Sequence, residues 1–236
     1  MSYTPDYVAD DLFAIDAAQS ERMAFIRRTY AHLLGAVLLF VGLEAAILSN
    51  EALTLRLLGL MSHSWLLVLG AFLLVSWIAS SMARSGASPG VQYLGLGLYA
   101  VAEAVIFCPI LYIASLQGGA IIPTAGLLTM IIFGGLTLIV FVTKADFSFL
   151  RGMLWVGGLA AFGLIIASIF MGFSLGIVFT SAMIVLMGGW ILYDTSNVLH
   201  HYRTDQHVAA SLALFASLAT LFWYVLRLVM YVSGRD

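Results

Sequence analysis

The chain has 236 residues, of which 62% are hydrophobic and 9% charged. A soluble domain carries about a quarter charged residues, so with a mean hydropathy of +1.05 water cannot be the solvent for most of this surface. A net charge of −2 excludes a basic nucleic-acid binder, and the single cysteine, Cys108, excludes an intramolecular disulfide.

Residues 1–28 lack the basic stretch and small-residue cleavage site of a signal peptide. They carry Asp6, Asp10, Asp11, Asp16 and Glu21, and read as an acidic, partly helical tail lying on the surface. Residues 29–236 read as one transmembrane domain. A helix needs about 20 apolar residues to cross the hydrocarbon core. Seven stretches qualify: Tyr30–Ser49, Trp65–Met82, Val91–Leu116, Ala120–Thr143, Leu150–Met171, Gly176–Tyr193 and Val208–Val232. Gln117-Gly118-Gly119 divides the third from the fourth. Gly152 to Tyr193 holds no Asp, Glu, Lys or Arg over 42 positions. One helix of that length would run about 63 Å at 1.5 Å per residue, twice a bilayer, so the chain turns back near Met171–Gly176. The expected fold is an all-α polytopic membrane protein of seven spans.

Lys and Arg near span ends set orientation. With the N-terminus inside, the inner segments hold Arg22, Arg27, Arg28, Arg84, Lys144, Arg151 and Arg203, and the outer ones Arg56 and Arg235. The bias predicts the N-terminus inside and, after seven spans, the C-terminus outside.

Ionisable residues inside a membrane are costly and are therefore functional candidates. Here they are His32 and Glu44 in span one, Glu103 in span three, Asp194 closing span six and Arg227 late in span seven, with Arg84 closing span two. On its own helix Asp194 has Ile191, Trp190 and Met187 behind it, and none stabilises a carboxylate. Its partner must be water or another helix, and Arg84 lies at the right depth. A carboxylate wetted at the interface is the equally weighted alternative. Ala209, Ala213, Ser217, Thr220, Tyr224 and Arg227 recur at three- and four-residue intervals and share one stripe of span seven. Small and polar residues on one stripe allow close helix approach, which suggests a central helix; for the small residues alone, ordinary helix packing without function is the favoured reading. Pro109 cannot donate to the carbonyl of Val105 and predicts a kink six residues beyond Glu103. Glu44 reads as a residue snorkelling at the outer end, and His32 as packed or interfacial. His200, His201 and His207 have no fixed ligand spacing, so no metal site or cofactor is expected. There is no H-E-x-x-H motif and no P-loop. Gly86-Ala87-Ser88-Pro89 lacks the glycine directly after the serine that an intramembrane serine protease would need. No enzyme is expected.

Several segments together resemble the Bax inhibitor-1 family. They are Arg27-Arg28-Thr29-Tyr30, Pro109, Thr143-Lys144-Ala145-Asp146-Phe147-Ser148-Phe149-Leu150, Ile191-Leu192-Tyr193-Asp194-Thr195 and Leu221-Phe222-Trp223-Tyr224-Val225-Leu226-Arg227-Leu228. The resemblance implies a seven-helix bundle with the last helix in the middle, in a bacterial inner membrane. It implies leak of calcium or protons, or association with a membrane-bound ATP-dependent protease. It also implies a pH sensor of two aspartates sharing a proton on spans six and seven, with an arginine from span two pairing with the first. Asp194 matches the first aspartate and Arg84 the arginine, but the second aspartate falls on Ser217. Ser217 can hydrogen-bond to Asp194 and cannot share a titratable proton in the same way. Two readings follow: a cation leak gated near Asp194, and a non-conducting regulator that binds another membrane protein through its acidic tail.

Overall fold

A computed structural model describes residues 13–63, 65–85 and 88–234. Asp6, Asp10 and Asp11 of the tail, Gly86 and Ala87 of the loop motif, and Arg235 lie outside the described residues. Eight α-helices are present among the described residues: α1 (Gln19–Ser49), α2 (Glu51–His63), α3 (Trp65–Arg84), α4 (Pro89–Gln117), α5 (Ile121–Thr143), α6 (Arg151–Met171), α7 (Ile177–His200) and α8 (His207–Ser233). All except α2 are long and apolar enough to span. Helix is the form expected here, because in lipid every backbone group must find its partner within the segment. The protein is an integral membrane protein.

The helix ends follow local chemistry. Gly118 and Gly119 separate α4 from α5, and Gly172, at φ 71°, ends α6 in the left-handed conformation that glycine adopts without steric cost. The turn expected near Met171–Gly176 is therefore observed.

Three boundaries differ from the sequence reading. First, α1 begins at Gln19, not near Tyr30. Phe25, Thr29, Leu33, Ala36 and Phe40 form one buried stripe that continues into the presumed tail, while Glu21, Arg27 and Arg28 face outward. The charges mark the exposed face of that helix, and the partial helicity expected of the tail is its first turns. Second, α2 is an extra helix of 13 residues. It is too short to cross and packs on α1 and α4, tied by Thr54 Oγ1 donating to Ile47 O at 2.7 Å. Third, α7 runs past Tyr193 to His200, so Asp194 lies within a helix and does not close it. Pro109 sits inside an unbroken α4.

α8 is central, touching α1, α3, α4, α5 and α7, with fourteen of its 27 residues buried. α4 shares the centre, with twelve of 29 buried. By contrast α3 and α6 each bury two and show lipid an apolar surface. The central contacts are aromatic. Phe107 of α4 stacks on Phe222 at 5.7 Å and meets Trp223 and Phe40 edge-on.

Interhelical contacts place the starts of α1, α4, α6 and α8 at one face of the bundle, called here the N-terminal face. There the segment before α1 docks on the α7–α8 loop. Phe13 bridges Arg203, Ala14 N donates to Tyr202 O at 2.9 Å, and Ala14 is fully buried.

Candidate functional site

Asp194 is 8% exposed, on the face of α7 turned to α8. Ser217 Oγ of α8 donates to its Oδ2 at 2.5 Å. The serine at the expected second-acid position thus touches the carboxylate directly. Arg84 ends α3 with its side chain exposed. Its charge reaches Asp194 through space, but no direct ion pair joins them among the described residues. The contact expected between these two residues is therefore looser than a salt bridge.

What holds the end of α3 here is Gly95 of α4. A Cβ built on it would lie 2.6 Å from Ala79 O and 2.9 Å from Ala83 N. Only glycine permits this approach, and Arg84 is the next residue after Ala83.

Tyr202, from the α7–α8 loop, lies within electrostatic reach of the site. Burial pushes its hydroxyl up to about 12, the negative charge of Asp194 adds to that, and Arg84 opposes it. Tyr202 therefore shares one electrostatic neighbourhood with both. No sequence pattern pointed to this, since a loop tyrosine has no periodicity to place it.

Next to Tyr202 lies a polar basin of about 510 Å³, lined by Ser148, Arg151, Tyr193, Asn197, His201 and Gln206 as well. Its rim is fixed by the α5–α6 loop. Lys144, at φ 52°, turns that loop back, and Ser196 of α7 anchors it by accepting from Phe147 N at 2.9 Å and donating to Asp146 Oδ1 at 3.2 Å. Asp146 also accepts from Ser148 N at 2.8 Å and meets His201 Nε2 at 3.2 Å. The Ser148 N–H, with His201 helping, holds the Asp146 carboxyl below its usual range. The Asp-x-Ser spacing is the signal from which this turn could have been read.

On the other side of Asp194, toward the opposite face, a cavity of about 500 Å³ lies between α3, α4, α6 and α8. Glu103, Thr220, Tyr224 and Arg227 line it. The stripe read on span seven is thereby divided: Ser217 meets Asp194, and the residues beyond it line the cavity. Glu103 is 4% exposed and interacts with Tyr99 one turn back. Arg227 Nη2 donates to Leu175 O at 3.2 Å.

The remaining candidates stand apart from this axis. Glu44 does not snorkel: it is 5% exposed, and neither carboxyl oxygen has a hydrogen-bond partner among the described residues. Burial within the α1 contacts overrides its position near the helix end. His32 bonds to Arg28 O at 2.7 Å and stacks on Tyr93. His207 joins that pair, 3.4 Å from the Tyr93 hydroxyl. His200 bonds to Ser196 O, and His201 meets Asp146. The three histidines thus serve different contacts, and no group of three metal-ligating side chains occurs among the described residues.

Comparison with known proteins agrees with this architecture. Residues 22–234 match the family described as "Inhibitor of apoptosis-promoting Bax1". Bax inhibitor 1 of Schizosaccharomyces pombe is 27% identical over 94% of this chain and 81% of its own. Protein lifeguard 4 of Mus musculus is 26% identical over 91% of this chain and 87% of its own. The "Modulator of FtsH protease YccA" of Escherichia coli is 31% identical over 46% of this chain and 49% of its own. A family match spanning all seven membrane helices, on a bundle whose last helix is central, identifies the chain as a member of the Bax inhibitor-1 family.

Proposed function

We propose that this protein is a non-enzymatic pathway for slow cation leak, gated at Asp194. The observation that carries the reading is the Asp194–Ser217 contact. It stands between two spaces, the polar basin at the N-terminal face and the cavity toward the opposite face. Asp194 is the acid nearest the closure. Thr220 and Glu103 offer the next oxygens, with Thr220 one turn of α8 beyond Ser217. A cation crossing a low-dielectric core needs such oxygens in place of its water. Opening requires α7 and α8 to part at this contact. With one carboxylate at the closure, pH responsiveness is weaker than for an acid pair, which resists double ionisation. Calcium and protons are the candidate ions, a bacterial inner membrane is the proposed location, and the N-terminal face is placed inside.

The test is flux from calcium-loaded liposomes containing the full chain, across pH 5 to 8. Leak above that of protein-free vesicles supports the reading. No excess leak at any pH removes it.

A second reading has its own support, from the similarity to a modulator of a membrane protease. In this reading the chain conducts nothing and binds a membrane protease complex. The acidic residues 1–12 lead directly into the segment docked on the α7–α8 loop and are the proposed contact. A chain lacking residues 1–12 should lose protease in a pull-down; unchanged recovery excludes that segment as the contact.

A further inference from the structure

We infer that the cavity between α3, α6 and α8 is a binding site for a single-chain anionic amphiphile, a long-chain carboxylate, entering sideways from the bilayer. The walls supply the first argument. Apart from Glu103, Arg227 and a few hydroxyls, the lining is apolar and aromatic, and the volume of about 500 Å³ suits one small apolar ligand. It holds one acyl chain and not the pair of a phospholipid.

Access supplies the second. Leu73 of α3 and Phe162 of α6 both line the cavity, yet they are 47% and 43% exposed. In a bundle surrounded by lipid, exposed residues at a cavity rim are a lateral opening. Trp65 at the start of α3 and Leu73 mark its extent, about 12 Å along the helix at 1.5 Å per residue. That is close to the depth of one leaflet, about 15 Å.

Charge supplies the third. Arg227 faces the cavity at the end where α3 begins and α8 nears its close. Among the described residues its one hydrogen bond is to the backbone oxygen of Leu175, and no carboxylate pairs with it. A guanidinium in an apolar wall is costly without an anion, and its fork of donors matches a carboxylate. The other end carries Glu103, which disfavours a second carboxylate there. The polarity therefore runs as in a lipid leaflet, with the head at Arg227 and Tyr224 and the tail toward the middle of the bundle. The site shares its cavity with the proposed leak path, but it does not depend on leak and is tested by binding.

Trp65 and Trp223 line the cavity and serve as reporters. The full chain with Trp77→Phe, Trp155→Phe and Trp190→Phe retains only these two tryptophans. In phosphatidylcholine vesicles it is titrated with 9,10-dibromostearate, whose bromines quench on contact, and with its uncharged methyl ester. The acid should quench saturably at about a tenfold lower mole fraction than the ester, the scale of a charge-assisted contact. Arg227→Gln should abolish that difference, and Arg227→Lys, which keeps the charge but not the fork, should keep part of it. Equal quenching by acid and ester, or an unchanged acid curve in Arg227→Gln, overturns the inference. So does saturable quenching at the same mole fraction by brominated phosphatidylglycerol, which would make the occupant a two-chain lipid. Should Arg227→Gln fail to insert, the acid–ester comparison and Arg227→Lys still decide.

Discussion

Replacing Gly95 with alanine tests how the end of α3 is held beside Asp194. The new Cβ would lie 2.6 Å from Ala79 O, 2.9 Å from Ala83 N and 2.9 Å from Met82 Cβ. Two of these are backbone atoms and the third is the root of a side chain, so none can swing away. Relief to an ordinary contact of 3.4 Å requires α3 to retreat by about 0.8 Å, and overpacking of this kind costs about 1–3 kcal/mol. A chain of this length loses about 2–4 °C of melting temperature per kcal/mol, which gives a drop of about 2–12 °C. The control is Gly97→Ala on the same helix, where the added methyl meets nothing within 4 Å. It should melt at or above the wild type, since alanine favours helix over glycine by about 1 kcal/mol. Thermal unfolding in detergent micelles, followed by near-ultraviolet circular dichroism, measures both. If Gly95→Ala and Gly97→Ala melt together, the close α3–α4 approach is not what positions Arg84, and the reasoning fails.

Ser217→Ala removes the side-chain donor to Asp194 and should cost about 0.5–2 kcal/mol, the range for a buried hydrogen bond between membrane helices. Ser217→Asp places two carboxylates together, so stability in micelles should fall as pH rises from 5 to 8; a pH profile matching the wild type would show that residue 217 is not the second-acid position. Asp146 has its carboxyl held below the usual range, chiefly by the Ser148 N–H. Its stabilisation is therefore complete above the ordinary aspartate value of about 3.9 and lost as pH falls through the lower folded value. At a half-exposed site it is worth about 1 kcal/mol or less. Asp146→Asn should flatten that acid-side slope in melts between pH 2.5 and 6, and superimposable curves would refute the assignment. Ala14→Asp puts a charge at a fully buried position under the α7–α8 loop, at a cost of about 2 kcal/mol or more. It should speed amide exchange across residues 201–206, and unchanged exchange would show that the docked segment does not hold the loop.

The spans were legible because lipid imposes one strong rule, an uncharged run of sufficient length. The same rule hid α2, since 13 residues cannot cross and hydropathy says nothing about a short helix packed on its neighbours. Charge was misleading at residues 19–28, where Arg27 and Arg28 line the exposed side of a helix whose other side carries Phe25 and Thr29. The polar stripe announced the central position of α8. α4 is equally central but is apolar around most of its surface, and Glu103 alone set it apart from a lipid-facing span. At the candidate site, Asp194 and Ser217 were readable by register along two helices. Tyr202 and the seat of Arg84 were not. One depends on where a loop folds, and the other on a glycine whose meaning appears only when a second backbone lies against it.

The placement of α8 at the centre bears on how the bundle is assembled. Synthesis delivers α1 to α7 first, yet five of these helices pack on α8. Until it enters, they surround a slot, and Asp194 faces that slot with no Ser217 to donate to it. The docking of Ala14 on Tyr202 joins residues nearly 190 positions apart, a long-range contact that forms late. A nascent or truncated form lacking α8 therefore displays an acidic, partly polar seam inside the membrane. Such a seam is a mark by which unfinished molecules can be told from finished ones, and inserting the last helix erases it.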